Sequence, residues 1–176
     1  GDGCIIGGLW KGFKEFHRLN LIDQLPQMTG VQAAGAAAIV EAAMGDGVVR
    51  AVTAQTIADS INVGRPRDAT KAIRAIRESK GAGVKVTDEE IISAIVRLAR
   101  STGVFAEPAA AAAFAGLVKM IDSGAIKSSE RVLVVLTGNG LKDVAAAQRA
   151  TGQPLSIKPS LDELDEAIRR DNEWRR

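Results

Sequence analysis

GDGCIIGGLWKGFKEF, residues 1–16, is the stretch on which the reading of the fold turns. Glycine stands at Gly1, Gly3, Gly7 and Gly8. Apolar residues recur at three- and four-residue spacing at Ile5, Ile6, Leu9, Trp10, Phe13 and Phe16, with Lys11, Lys14, Glu15 and Arg18 on the other side. The pattern predicts an amphipathic helix to about Leu19. A glycine-rich loop that opens a helix presents unpaired backbone N–H groups at the positive end of the helix dipole, a ready seat for a phosphate or carboxylate. Such loops usually follow a strand, and no Met precedes this one, so the chain reads as the carboxyl-terminal part of something longer, cut at the loop. The dinucleotide fingerprint would need glycine where Ile6 stands, and no Gly-Lys-Ser/Thr follows as in a P-loop. By spacing alone the loop specifies an anion and nothing finer.

Working outward, the length of 176 residues suits one domain or a large part of one, and a hydrophobic fraction of 46% supports a real core. No apolar run is long enough for a transmembrane helix, and no signal peptide pattern is visible. The net charge of +2 is near neutral, with Lys and Arg interspersed among Asp and Glu, which argues against a nucleic-acid binder. The single cysteine, Cys4, excludes an internal disulfide and a Cys-based zinc site and fits a reducing cytoplasm. The single histidine, His17, is expected on the flank of the first helix rather than in a catalytic site.

Downstream, residues 27–33 (QMTGVQA) and Gly83–Val86 read as short strands, and 131–136 (RVLVVL), with no polar alternation, as a strand buried on both faces of a parallel sheet. Helices are predicted over 36–44, 69–79, from a Thr87/Glu90 capping box to about 102, and over 109–120, where a run of alanines permits close approach. A second capping box, Ser160 with Glu163, opens a last helix to about Trp174. Residues 48–66 are irregular, with Pro66 discouraging helix before it. Strand and helix patterns alternate, so the fold class is α/β, a three-layer, mostly parallel sheet flanked by helices. Three visible strands make a small sheet, as if incomplete. The expected division is 1–150 for the main domain and 151–176 for a linker and terminal helix.

Ligands of such sheets bind beyond the carboxyl ends of strands, where residues 1–8 and Thr137-Gly138-Asn139-Gly140 fall. The plainer reading of the second segment is a tight turn in which Gly138 and Gly140 supply positive φ. Glu107 is read as a helix-start carboxylate, Lys142 and Asp143 as helix-start surface charges, and Cys4 as a small buried residue whose pKa the loop dipoles could lower. Asp59, Asn62, Arg65 and Arg67 on the irregular loop are candidates for an anionic substrate.

The segments GDGCII (1–6), GVQAAGA (30–36), TIADS (56–60) with Gly64-Arg65-Pro66, TGVFAEPA (102–109) and LTGNGLKD (136–143), in that order, resemble the threonine synthase family, pyridoxal-phosphate enzymes of the tryptophan-synthase-β fold type. The resemblance covers residues 1 to about 144. It implies a cytoplasmic lyase of threonine biosynthesis, converting O-phosphohomoserine and water to threonine and phosphate, in a homodimeric parent with no nucleic-acid or membrane partner. It implies that the backbone N–H groups of Gly1, Asp2, Gly3, Cys4 and Ile5 hold the cofactor phosphate. Family members often read Gly-Asn-Ala-Gly-Asn here; Asp2, Cys4 and Ile5 depart from that, so the likeness carries the backbone contacts and not the side chains. Thr137 matches the position whose hydroxyl meets the pyridine nitrogen. The family's cofactor-bearing lysine lies in a Ser-Phe-Lys-Asp-type motif with no counterpart here, so no catalytic residue is assigned and the chain alone is expected to be inactive. Within the fold type, threonine dehydratase and cysteate synthase are the alternatives; outside it, a non-catalytic anion-binding α/β module.

Overall fold

The computed structural model describes residues 1–152, 154 and 156–170. Its elements run α1 (Cys4–Arg18), β1 (Gly30–Ala33), α2 (Ala38–Met44), α3 (Ala69–Glu78), β2 (Gly83–Val86), α4 (Asp88–Thr102), α5 (Pro108–Asp122), α6 (Val144–Thr151) and α7 (Leu161–Arg170). β1 and β2 pair in parallel, in the register Gly30↔Gly83 to Ala33↔Val86.

Strand alternation sorts the side chains into two helical layers. Val31, Ala33, Val84 and Val86 pack in one cluster with α4 and α5. The opposite positions face α1, α2 and α3. A Cβ on Gly30 would lie 2.8 Å from Ile76 Cδ1, and one on Gly83 would lie 3.0 Å from Val40 and Met44. The missing side chains therefore let α3 and α2 approach the sheet. On the α5 side the alanine run does the same: Ala110, Ala111, Ala112 and Ala115 are buried, and a Cβ on Gly116 would strike Val31 at 2.4 Å. The result is the three-layer α/β arrangement that the alternation predicts.

Local signals hold where one stretch of chain satisfies itself. In the capping box at the head of α4, the Glu90 amide donates to Thr87 Oγ1 and the Thr87 amide to the Glu90 carboxylate. The second box closes on one side only. The Glu163 amide donates to Ser160 Oγ at 3.2 Å, but the Glu163 carboxylate turns to Lys158 at 3.5 Å. The last helix is described to Arg170, and Trp174 lies outside the described residues.

Residues 131–136 correct the sequence reading. They pair with no strand among the described residues, and Val132, Leu133 and Val135 are exposed, Leu133 by 81%. A buried strand needs edges to bond to on both sides, and apolar composition records only the demand for burial, not a partner. α6 runs opposite to this: residues 144–151 form a helix the sequence reading did not assign, started by Asp143, whose carboxylate accepts the Ala146 amide at 2.9 Å. No helix among the described residues is long and apolar enough to cross a membrane.

Candidate functional site

Gly3 sets the geometry of the amino-terminal loop. Its φ of +89° lies in the left-handed region, and a Cβ would sit 2.8 Å from Ala72 Cβ and 3.0 Å from Ile39 Cδ1. Only glycine meets both demands without strain. The chain turns there directly into α1, whose first internal bond is Gly7 N–H to Gly3 O at 3.1 Å. No side chain caps this end, and its first turn carries no acidic residue. The Cys4, Ile5 and Ile6 amides of a 15-residue helix are therefore left facing outward as donors at the positive end of the dipole.

The loop is braced from three sides. Asp2 Oδ1 accepts the Arg67 amide at 2.9 Å, and Asp2 O accepts the Asp68 amide at 3.0 Å. Gln32 Nε2 donates to Gly1 O at 3.4 Å. Gln32 is the residue that sequence reasoning missed. It is 4% exposed within β1, and its Oε1 accepts the Ile39 and Val40 amides at 2.9 Å, so one side chain ties the sheet, the start of α2 and the loop together. The available signal was a lone amide in the apolar strand GVQA: a buried amide is kept only where its hydrogen bonds are made.

Cys4 is exposed, not buried as the sequence reading had it. Its thiol is held above the ordinary cysteine range, first by a hydrogen bond to Asp68 and then by desolvation and the Asp68 charge. The carboxylate outweighs the helix dipole, so Cys4 is a poor thiolate at neutral pH. Asp68 is in turn lowered, by the Cys4 bond first and then by Lys71 at 2.6 Å. His17 is exposed on α1 as expected.

The second segment is fixed by close approach, not by positive φ. Gly138 and Gly140 are absent from the residues with left-handed backbone. A Cβ on Gly138 would fall 1.9 Å from Glu107 Oε1, and one on Gly140 2.3 Å from Phe105. Residues 106 and 139 form an antiparallel bridge, with Glu107 N–H to Gly138 O at 3.1 Å and Gly140 N–H to Phe105 O at 3.0 Å. Glu107 is buried at the head of α5, makes no cap bond there, and pairs with Lys142 Nζ at 2.9 Å. Lys142 is thus a counter-ion rather than a free surface charge. Thr137 is exposed, and its hydroxyl makes no hydrogen bond among the described residues.

β1 is the common support of both segments. Gln32 on it holds Gly1, and α5, whose head meets Gly138, packs across it through Gly116 and Val31. No hydrogen bond joins Thr137 to residues 1–5 among the described residues. The irregular loop adjoins the first segment: a Cβ on Gly1 would lie 3.4 Å from Ile61, and Arg67 is held by Asp2. The side chains of Asp59, Asn62, Arg65 and Arg67 are exposed along it. Among the described residues, no group of His, Cys, Asp and Glu is placed to hold a metal ion.

A left-handed glycine leading into an uncapped helix suits the phosphate of a bound cofactor, and the family comparison names one. The model of the pyridoxal-phosphate dependent enzymes matches residues 1–138. The chain belongs to that family. It is similar to the threonine synthase of Methanocaldococcus jannaschii, 43% identical over 171 residues, which cover 96% of this chain and 42% of that protein. It is 45% identical over 160 residues to the threonine synthase of Halalkalibacterium halodurans, covering 91% of this chain and 43% of that protein. The chain therefore spans less than half the length of these relatives. Among solved structures, the processed threonine deaminase isoform 2 of Solanum lycopersicum superposes with a TM-score of 0.67 at 21% identity, over 86% of this chain and 41% of that one. Threonine synthase from Escherichia coli superposes at 0.57 and 17%, over 79% and 32%. At these identities the structures establish the fold, a parallel sheet between helices shared with pyridoxal-phosphate enzymes.

Proposed function

We propose that this chain is part of a threonine synthase that converts O-phosphohomoserine and water to threonine and inorganic phosphate, a biosynthetic lyase of the cytoplasm working as a homodimer. The observation that carries the reading is the uncapped head of α1 behind the left-handed Gly3. Likeness to threonine synthases over nearly the whole chain supports the choice within the family.

The residues fit the cofactor. Gly3 leaves room where a side chain would clash, and the amides of the first turn of α1 are uncapped donors. In this assignment Gly1, Asp2, Gly3, Cys4 and Ile5 hold the phosphate through their backbone, and the Thr137 hydroxyl meets the pyridine nitrogen. Pyridoxal phosphate, when bound, supplies an electron sink for negative charge developing beside the substrate amine. A neutral hydroxyl at the ring nitrogen, unlike a carboxylate, does not hold a proton there. Asp2 and Gln32 position the loop: Asp2 Oδ1 accepts the Arg67 amide, and the Gln32 amide is spent on Gly1, Ile39 and Val40. Arg65 and Arg67, exposed on the loop bordering Gly1, are assigned to the phosphate of the substrate. No lysine of this chain matches the cofactor-bearing position, so proton transfer at the substrate falls to residues outside Gly1–Arg176.

The test uses the protein at its natural length. It is expected to take up pyridoxal phosphate, seen as a visible absorbance band, and to release phosphate from O-phosphohomoserine. A protein that takes up no cofactor sinks the reading. One that takes it up and dehydrates threonine without releasing phosphate overturns the substrate alone.

A further inference from the structure

We propose that a second copy of this chain seats its α7 in the groove between α4 and α6. The groove is open, with a volume of about 630 Å³. Ile92 and Val96 from α4 and Ala150 from α6 give it an apolar floor, and Ser93, Arg97 and Arg100 border it. No acidic side chain lines it. Neither guanidinium has an ion pair or side-chain hydrogen bond among the described residues. Two unpaired cations three positions apart on one helix repel each other, so the groove asks for an anionic occupant. Its floor asks for an apolar one. A purely apolar partner would strand both guanidiniums in a desolvated contact.

α7 has the complementary character. Leu161, Leu164 and Ile168 share one face and are exposed by 80%, 41% and 42%. Asp162, Glu163, Asp165 and Glu166 make its first six residues acidic, and with Glu163 paired to Lys158 at 3.5 Å it is Asp162 and Asp165 that are offered to the guanidiniums. Its ten residues span ~15 Å, and the α4 face from Ile92 to Arg100 spans ~12 Å, so the two match in length. In this structure the α7 face and the groove both stand open in the same molecule. Two copies related by a twofold axis would exchange α7 helices and fill both grooves with one set of contacts, as an isologous interface does.

The experiment uses the protein at its natural length. A ¹⁵N-labelled Val96→Cys chain is mixed with an unlabelled Leu164→Cys chain, oxidised, digested and read by mass spectrometry. The expected product joins a labelled peptide containing position 96 to an unlabelled one containing position 164. By sedimentation, Arg97→Glu with Arg100→Glu should weaken self-association at least tenfold. Mixing that variant with Asp162→Arg plus Asp165→Arg should restore it, because both contacts then regain opposite charges. No cross-link between the two chains overturns the proposal, as does a cross-link found only when both cysteines share one chain. So does charge reversal that leaves association unchanged in variants folded by circular dichroism, which would give the groove to another segment or to a small anion. If the charge variants fail to fold, the cross-link decides.

Discussion

The carboxylate of Asp2 accepts the backbone N–H of Arg67 at 2.9 Å, a bond across 65 positions that pins the amino-terminal loop to the loop before α3. The resemblance assigns this position only backbone contacts, and the structure uses its side chain to brace the loop. Asp2→Ala should weaken pyridoxal phosphate binding by up to about tenfold, the value of one hydrogen bond, while the melting temperature barely moves. Asp2→Asn, which keeps an acceptor oxygen, should bind nearly as the parent does. Titration of the cofactor band checks both; equal affinity in all three proteins would remove Asp2 from the site.

Gly3→Ala tests the turn. The alanine meets left-handed backbone, and its Cβ meets Ala72 at 2.8 Å, so a loss of about 1–3 kcal/mol of stability is expected. Cofactor affinity should fall further than stability does, because the α1 amides are re-aimed. Thermal melts with and without pyridoxal phosphate separate the two effects.

Arg77 closes the end of α2. Its guanidinium donates to the carbonyls of Ala43 at 2.9 Å, Ala42 at 3.1 Å and Gly45 at 2.8 Å, at a helix end where Ala42 O also accepts the Gly47 amide. Arg77→Met should cost about 1–2 kcal/mol in denaturant unfolding, and Arg77→Lys should recover only part of it, since an ammonium cannot span the fork.

Lys142 is more than half exposed, whereas Glu107 is buried. Lys142→Ala strands the carboxylate, at a cost of about 1–2 kcal/mol after allowance for solvent around the lysine. Hydrogen exchange of the Glu107 and Gly140 amides, the donors of the bridge, should speed up with it. Glu107→Gln combined with Lys142→Ala should be milder than Lys142→Ala alone; a strictly additive pair would show that the two side chains are not coupled.

The Cys4 thiol titrates above the ordinary cysteine range because Asp68 favours its protonated form. The sign is simple: less thiolate at neutral pH, hence slow alkylation that accelerates only at higher pH. Asp68→Asn removes the charge, so the midpoint of iodoacetamide reactivity should move to lower pH. A midpoint that does not move would exclude Asp68 as the cause.

Helix positions, both strands of the sheet and the α4 capping box were legible because each is a local pattern. Periodicity places Ile6, Trp10 and Phe13 of α1 against the core, although Ile5, Leu9 and Phe16 of the same apolar set stay exposed, and Thr87 and Glu90 satisfy each other within one turn. The uncapped helix head behind the glycines of residues 1–8 was legible for the same reason, since a glycine loop and a helix head are neighbours in the chain. What failed was α6, a short helix whose local Asp143 cap went unread, half of the Ser160/Glu163 box, and whatever depended on a distant partner. The apolar run 131–136 has composition without a neighbour among the described residues, and Cys4 and Lys142 took their roles from Asp68 and Glu107.

By itself the sequence determined an α/β chain, the helix heads and a loop suited to a phosphate. Only the tertiary structure decided which polar groups are spent and which stay open. Asp2 is engaged by Arg67 and Gln32 by three backbone groups, while the Cys4, Ile5 and Ile6 amides remain uncapped. The physical reason is that backbone donors are present in every sequence, but whether they are satisfied depends on packing between segments far apart along the chain.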